Sequence, residues 1–363
     1  MKDEKTLKAK EMFAIVVLFI GLKLSDTTPS LLAQKAQNAF WMIPIVAFIV
    51  IFPSFLLLLY LLKKYKDKNL IELMEQILGT LVGKLFGFVI FLFAFLSLAL
   101  DSRNYVEQIK LLYFPESPTV IVFFIFIGVA CYCAKKGFEV IGFTSFIGLP
   151  LVKIAVFLLA YLIFSKAIFP RIFPIFGTGL DVILTQGVLK GSLFAELFFL
   201  TIAYTTFKET KSFRTGGILG SIFVMVEIVL FYLIYTMVFD YNSISKIAFP
   251  FHDVTQYINF GEFITNVETF FMVFWLLAAY IRFIVFLYLV TWIFAAVFNI
   301  NEFEPLILPF AFFTIIAGLL PENSLINELL LRDQLLNIMT PVLIFFPILL
   351  WIVAFSKGDL KRL

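Results

Sequence analysis

The sequence predicts an all-α polytopic membrane protein with ten transmembrane helices and both termini in the cytoplasm. Three observations predict it. Hydrophobic residues make up 62% of the 363-residue chain and charged residues only 15%, far more apolar surface than one soluble core of that length hides. Ten stretches are apolar and long enough to cross a bilayer, which takes roughly 20 residues of helix; in lipid such a helix satisfies its own backbone. The basic residues gather in every second connection, as the positive-inside rule requires.

The predicted spans are Met12–Leu32, Met42–Leu62, Leu81–Leu111, Thr119–Ala134 and Phe138–Phe164, then Gly187–Phe207, Thr215–Phe239, Phe263–Phe298, Glu304–Leu320 and Leu335–Phe355. No connection exceeds about 30 residues, so residues 1–363 are read as one membrane domain. Spans three and eight exceed a straight crossing and are expected to tilt or protrude. Basic clusters at Lys2–Lys10, Lys63–Lys68, Lys135–Lys136, Lys208–Arg214 and Lys357–Arg362 mark the cytoplasmic side. The opposite side keeps Lys35, Lys110, Lys166, Arg171, Lys246 and Arg332. An odd number of spans would put one of the two basic ends outside. The charged start followed by an apolar run without a small-residue cleavage site reads as a retained first span. Lys166–Gln186, rich in Pro and Gly, reads as an external loop. Asp240–Glu262 reads as a short amphipathic helix on the outer face, with Phe249, Pro250, Phe251, Val254, Tyr257 and Ile258 at helical spacing.

The first span is interrupted. Met12–Leu22 is apolar, Lys23-Leu24-Ser25-Asp26-Thr27-Thr28-Pro29 breaks it, and Ser30–Ala39 resumes. Pro29 cannot donate to a helix and disfavours helix at Thr28. Irregular backbone at membrane depth is tolerated where it lines a cavity, and in transporters it forms the substrate site. The half-helix starting at Pro29 would aim its N–H groups at a ligand carboxylate. The competing reading ends the span at Leu24 and leaves Pro29–Ala39 as a surface helix. Span six carries a weaker second break, with Glu196 near its middle and Ala203-Tyr204-Thr205-Thr206 after it. Interruptions in spans one and six point to an inverted repeat of five plus five spans.

Ionisable residues inside spans are costly and are functional candidates. Here they are Lys153, Glu196, Glu227 and Arg282, with Asp101 and Arg103 in span three beside Ser97 and Tyr105. Two bases and two acids at similar depth can instead form buried pairs. Lys153 is expected to face the interior near span one or eight, and can stand where a coupling cation binds in other transporters. The predicted ligand site is a midplane cavity between the break, span three, span six and span eight. Its candidate lining is Ser25, Asp26, Thr27, Thr28, Ser97, Asp101, Tyr204 and Thr205. Cys131 and Cys133 share a helix at a spacing that makes neither a disulfide nor a metal site. His252 is the only histidine. No phosphate loop, metal-ligand cluster or hydrolase constellation is present, so neither an enzyme, a cofactor nor a nucleic-acid partner is expected.

The segment Phe249-Pro250-Phe251, Tyr257-Ile258, Gly261-Glu262-Phe263, Glu268, Trp275 and Arg282 resembles the stretch before and within span eight of the GerAB-type spore germination permeases. Gly21, Pro29, Ala33, Ala36 and Trp41 in the first span agree, as do Phe207-Lys208-Glu209 and Lys211. Departures are Gln256, Asn38-Ala39-Phe40 and Asp26. The resemblance implies a LeuT-like fold of the amino acid–polyamine–organocation superfamily, located in the spore inner membrane. It also implies a small nutrient ligand, an amino acid or similar, and two partners: a larger A-type membrane subunit and a C-type lipoprotein. A proton-coupled amino-acid transporter and a ligand-free structural subunit are the alternatives. Flanking A-type and C-type genes would separate the first reading from the transporter, and a polar cavity would separate both from the third.

Overall fold

A computed structural model describes residues 6–207, 209–258, 267–323 and 326–362. Lys2, Lys5, Lys208, Gly261, Glu262 and Phe263 of the sequence reading lie outside those residues, as do the end of the predicted outer helix and the start of predicted span eight. Among the described residues the architecture is all-helical; an isolated parallel bridge joins Leu7 to Phe207.

Helix α1 (Ala9–Gly21) is apolar nearly all round and ten of its residues are buried, the pattern of a helix enclosed on every side. It packs on α10 (Thr210–Val238), α7 (Phe138–Phe164) and α13 (Val267–Val297). The crossing with α10 is close because small residues face it. A Cβ on Gly216 would lie 2.4 Å from the Ala9 carbonyl, and one on Gly220 would lie 2.9 Å from Val16 Cβ.

After α1 the chain tightens into a 3-10 turn, Leu22–Leu24, unwinds through Ser25–Thr27 and restarts as α2 (Thr28–Ala36) with Pro29 in its first turn. The Asp26 carboxylate accepts from the Thr28 N–H at 2.8 Å, a local bond that competes with continued helix. Leu31, Leu32, Ala33 and Ala36 are buried, so α2 is not a surface helix. A 3-10 segment, Gln37–Met42, leads into α3 (Ile43–Lys64).

Helix α4 (Leu70–Leu78), absent from the sequence reading, is a short amphipathic segment. Asn69 and Glu72 form a reciprocal cap at its start, and Leu73, Met74 and Ile77 are buried. Then follow α5 (Thr80–Tyr113), α6 (Thr119–Ala134) and α7, the last two at the predicted bounds.

Span six differs from expectation. Its helix begins within the predicted loop, as α8 (Leu180–Leu189), and Gly187 lets it approach α3, since a Cβ there would meet Val46 at 2.4 Å. The interruption falls at Lys190–Ala195, before a one-turn α9 (Glu196–Phe199) and a 3-10 segment, Leu200–Thr206. After α10 come α11 (Tyr241–Ile244), α12 (Pro250–Gln256), α13 and α14 (Ile307–Leu319). The last long helix begins as a π turn, Asn327–Arg332, and continues as α15 (Asp333–Ser356) before α16 (Asp359–Arg362). That start draws Arg332 out of the predicted external connection and into the core, where it is 4% exposed.

Six helical stretches are long and apolar enough to cross a membrane: Thr28–Lys64, Thr80–Tyr113, Phe138–Phe164, Thr210–Val238, Val267–Val297 and Asn327–Ser356. α6, α8 and Glu304–Leu319 are shorter apolar helices. Large apolar side chains such as Ile125, Ile154 and Tyr161 point outward, as on a surface solvated by lipid.

Candidate functional site

The break in the first helix leaves the Lys23 and Leu24 carbonyls without helical partners and the Leu22 carbonyl bonded only to Ser25, and such groups take further partners. Three tyrosines supply them. Tyr105 of α5 donates to the Leu22 carbonyl at 3.2 Å, Tyr232 of α10 to Lys23 at 3.0 Å, and Tyr235 of α10 to Leu24 at 2.7 Å. Trp275 of α13 donates its indole N–H to Ser25 Oγ at 3.2 Å and stacks on Tyr105 at 5.6 Å. The unwound strand is therefore held from three directions by groups that need no charge.

A chain of seven buried ionisable groups runs past it. Lys23 Nζ lies 2.6 Å from Glu196 Oε2 and also donates to the Leu193 carbonyl. Arg282 Nη2 bridges Glu196 Oε1 at 3.0 Å and Asp101 Oδ2 at 2.5 Å, while its Nη1 donates to the Phe19 carbonyl. Arg332 places Nε 3.2 Å from Asp101 Oδ1, Nη2 2.7 Å from Asp26 Oδ2 and Nη1 2.5 Å from Glu328 Oε1. None of the seven exceeds 6% exposure. The chain thus ties both interrupted helices to α5, α13 and the π turn before α15.

Two cavities flank the break. The first, about 20 Å³, lies between α1, α7, α12 and α13; Gly21, Leu22, Ser25, Lys153, Phe251 and Trp275 are among its walls. The second, also about 20 Å³, is lined by Lys23, Ser97, Asp101, Ser192, Glu196 and Arg332, with Leu335, Leu336 and Met339 of α15. One is apolar and the other is walled by paired charges.

A family model described as spore germination protein, a spore permease, matches residues 6–325. The chain belongs to that family. Over 98% of both chains it is 24% identical to the spore germination protein YfkT of Bacillus subtilis. It is also 21% identical to spore germination protein KB of the same organism, over 98% of this chain and 96% of that one. Its fold is similar to that of a sodium-coupled sialic acid symporter in a substrate-bound outward-open state. There the TM-score is 0.65 at 13% identity, over 95% of this chain and 78% of the other. This spore permease therefore has a transporter-like helical fold and is a membrane protein.

Of the residues singled out from sequence, Ser25, Asp26, Thr27, Thr28, Ser97, Asp101, Glu196 and Arg282 cluster around the break and the charged cavity. The N-terminus of α2 is occupied by Asp26 itself, so a ligand carboxylate there would have to displace it. Tyr204 and Thr205 are not part of this assembly. Tyr204 packs edge-on against Phe213 at 5.2 Å, on the segment that ends at the Leu7–Phe207 bridge. That is the far end of α1, about 18 Å from the break at 1.5 Å per residue. The hydroxyl-bearing stretch ends a 3-10 segment, and the interruption that meets the first break lies before Glu196, at Lys190–Ala195. Span eight contributes Arg282 to the network, whereas α15 forms the cavity wall assigned to it.

Lys153 and Glu227 form a separate pair, with Nζ 2.6 and 2.7 Å from the two carboxylate oxygens. Gly21 permits it to lie against α1: a Cβ there would sit 3.1 Å from Glu227 Oε2. The sequence reading missed Lys23, Lys190, Arg332 and Glu328 as site members. Lys190 is 1% exposed and bonds Asp333 at 2.5 Å and Asn337 at 2.7 Å, pinning the second break to α15. The readable signal was a Glu328–Arg332 pair at helical spacing directly before an apolar run.

Above the first cavity, α12 buries Phe251, His252 and Val254. His252 Nδ1 shares a hydrogen bond with Tyr113 Oη at 3.3 Å, and Nε2 lies 3.2 Å from Gln256. Burial pushes the imidazole below its ordinary value, against a smaller opposing pull from Glu268.

Proposed function

We propose that this protein is the permease-like subunit of a spore germinant receptor. It binds a small nutrient, an amino acid or similar, at the charged cavity beside the break, and binding triggers germination. One observation carries the reading: four of the seven buried ionisable groups line one small cavity at the meeting point of two interrupted helices. A zwitterion offers both signs of charge there. Its carboxylate would exchange onto Lys23 and Arg332, and its ammonium onto Asp101 and Glu196, with each displaced group keeping a neighbour in the chain. Such exchange re-partners charges instead of stripping them, which keeps desolvation costs low.

On this reading the helices form ten spans in a LeuT-like 5+5 inverted repeat with both termini cytoplasmic. The spore inner membrane is its site, and an A-type membrane subunit and a C-type lipoprotein are its partners. The Lys153–Glu227 pair then stands where a coupling cation binds in other transporters, so ligand occupancy acts as a signal and not as a transport cycle. The test compares two measurements: germination of spores lacking this protein on single nutrients, and uptake of the same radiolabelled nutrients into vesicles containing it. Loss of the response to one nutrient without uptake of that nutrient supports the receptor. Robust uptake with unaltered germination supports a proton-coupled amino-acid transporter instead.

A further inference from the structure

The charges in the buried chain do not balance. Lys23, Arg282 and Arg332 supply three positive charges; Asp26, Asp101, Glu196 and Glu328 supply four negative ones. No further base among the described residues joins them: Arg103 is taken by Glu107 at 2.8 Å, Lys153 by Glu227 and Lys190 by Asp333. Each of those pairs is neutral by itself. A single uncompensated charge at this depth is costly, and a buried carboxylate in that position takes up a proton.

We propose that the chain is a one-proton site and that Glu328 is the residue that holds it. Glu328 is the terminal acid. Asp101 and Glu196 each face two bases, and Asp26 faces Arg332 besides accepting from the Thr28 N–H. Glu328 touches one base, Arg332, which it shares with Asp26 and Asp101; from α5 it is faced by the neutral Asn104, whose amide donates to Oε2. Arg103 and Glu107 on the same helix neutralise each other. Asn104 and Asn327 form a pair that receives the proton. Asn327 Nδ2 donates to Asn104 Oδ1 at 2.6 Å and to the Leu100 carbonyl at 2.9 Å. Asn327 Oδ1 is buried without a partner. Turning Asn104 and rotating Asn327 off the Leu100 carbonyl, at the loss of that bond, lets the Glu328 hydroxyl donate to Asn104 Oδ1, and Asn104 Nδ2 donate to Asn327 Oδ1. The Leu100 carbonyl keeps its bond within α5. The proton comes from solvent, the carboxylate becomes a carboxylic acid, and the chain moves from a formal charge of −1 to 0. When the proton leaves, Glu328 competes harder for Arg332 and loosens its hold on Asp26 in the break.

Infrared spectroscopy of the purified full chain in nanodiscs at neutral pH tests this without any nutrient, so it stands or falls apart from the receptor reading. The expected result is a carbonyl band from one protonated buried carboxyl, shifted in heavy water. It should be absent in Glu328→Gln, a variant that mimics the neutral acid and should melt where the wild type does. A wild-type spectrum with no such band overturns the proposal, even if the variant fails to fold. So does a band that persists in Glu328→Gln or that disappears in Glu196→Gln instead.

Discussion

Removing the Arg282 guanidinium is the most direct test of the buried chain. The residue is fully buried, bridges Asp101 and Glu196, and donates to the Phe19 carbonyl. Arg282→Met keeps the length of the side chain and deletes the charge. Breaking a buried pair costs about 3–5 kcal/mol when a partner is stranded. Here neither acid is stranded, since Asp101 keeps Arg332 at 3.2 Å and Glu196 keeps Lys23 at 2.6 Å. The loss therefore belongs at the lower end, about 3 kcal/mol, with about 1 kcal/mol more for the carbonyl that loses its donor. Thermal unfolding of the purified protein should fall by roughly 8–16 °C, on a scale of about 2–4 °C per kcal/mol. Adding Glu196→Gln restores the charge count and should recover about 1–2 kcal/mol as a coupling between neighbours. Arg282→Lys keeps the charge but not the fork, and should fall between wild type and Met. Unfolding of Arg282→Met within about 1 °C of wild type, or a double variant no better than the single, would refute the idea that this guanidinium holds the chain together.

Lys153→Met strands Glu227 and should cost about 3–5 kcal/mol, seen as lower protein abundance. Lys153→Met with Glu227→Leu should recover most of it, and Lys166→Met in the connection after α7 should change nothing. Gly21→Ala brings a Cβ within 3.0 Å of Val224 Cγ2 and 3.1 Å of Glu227 Oε2 and should cost about 1–3 kcal/mol. Gly128→Ala meets nothing within 4 Å and should be neutral or stabilising in a thermal melt. For His252 the folded value lies below the ordinary 6.5 because of burial. The neutral, docked form is therefore fully favoured above about pH 6.5 and loses ground as pH falls below it. Hydrogen exchange of the α12 amides should accelerate below that pH in the wild type, and His252→Gln should remove the dependence. Phe251→Ala should shift the nutrient concentration for half-maximal germination if α12 gates the first cavity. Lower abundance at an unchanged concentration would make α12 an assembly element.

Much of the helical frame was legible because long apolar runs leave few alternatives. α6 and α7 begin and end where composition shifts. The first break was legible because Pro29 and the Ser25-Asp26-Thr27 run oppose helix for separate reasons, a missing donor and a competing side-chain bond. α8 was not legible. Its start lies in a Pro- and Gly-rich stretch, and its approach to α3 depends on Gly187 meeting Val46 across the fold, a relation no local pattern contains. α4 was hidden for the opposite reason: its Asn69–Glu72 cap is a local signal, but the helix is too short and polar to register beside the spans.

The charged residues show where reading by hydropathy fails for a physical reason. A charge lowers the local average, so a predicted span is drawn to stop short of it. Glu328 and Arg332 were left outside span ten for that reason, and Lys23 and Lys190, at the break in span one and near the start of span six, were not counted among the intramembrane charges, although all four are at most 4% exposed. A buried charge is tolerated only beside an opposite charge or a freed backbone group. Both are found where helices are interrupted. Lys23 meets the Leu193 carbonyl at the second break, Lys190 anchors that break to α15, and Arg332 holds Asp26 in the first. The residues hardest to place by hydropathy are therefore the ones that compensate the breaks. In a chain with a Pro-marked interruption, acids and bases just beyond the ends of apolar runs are the first candidates for its interior.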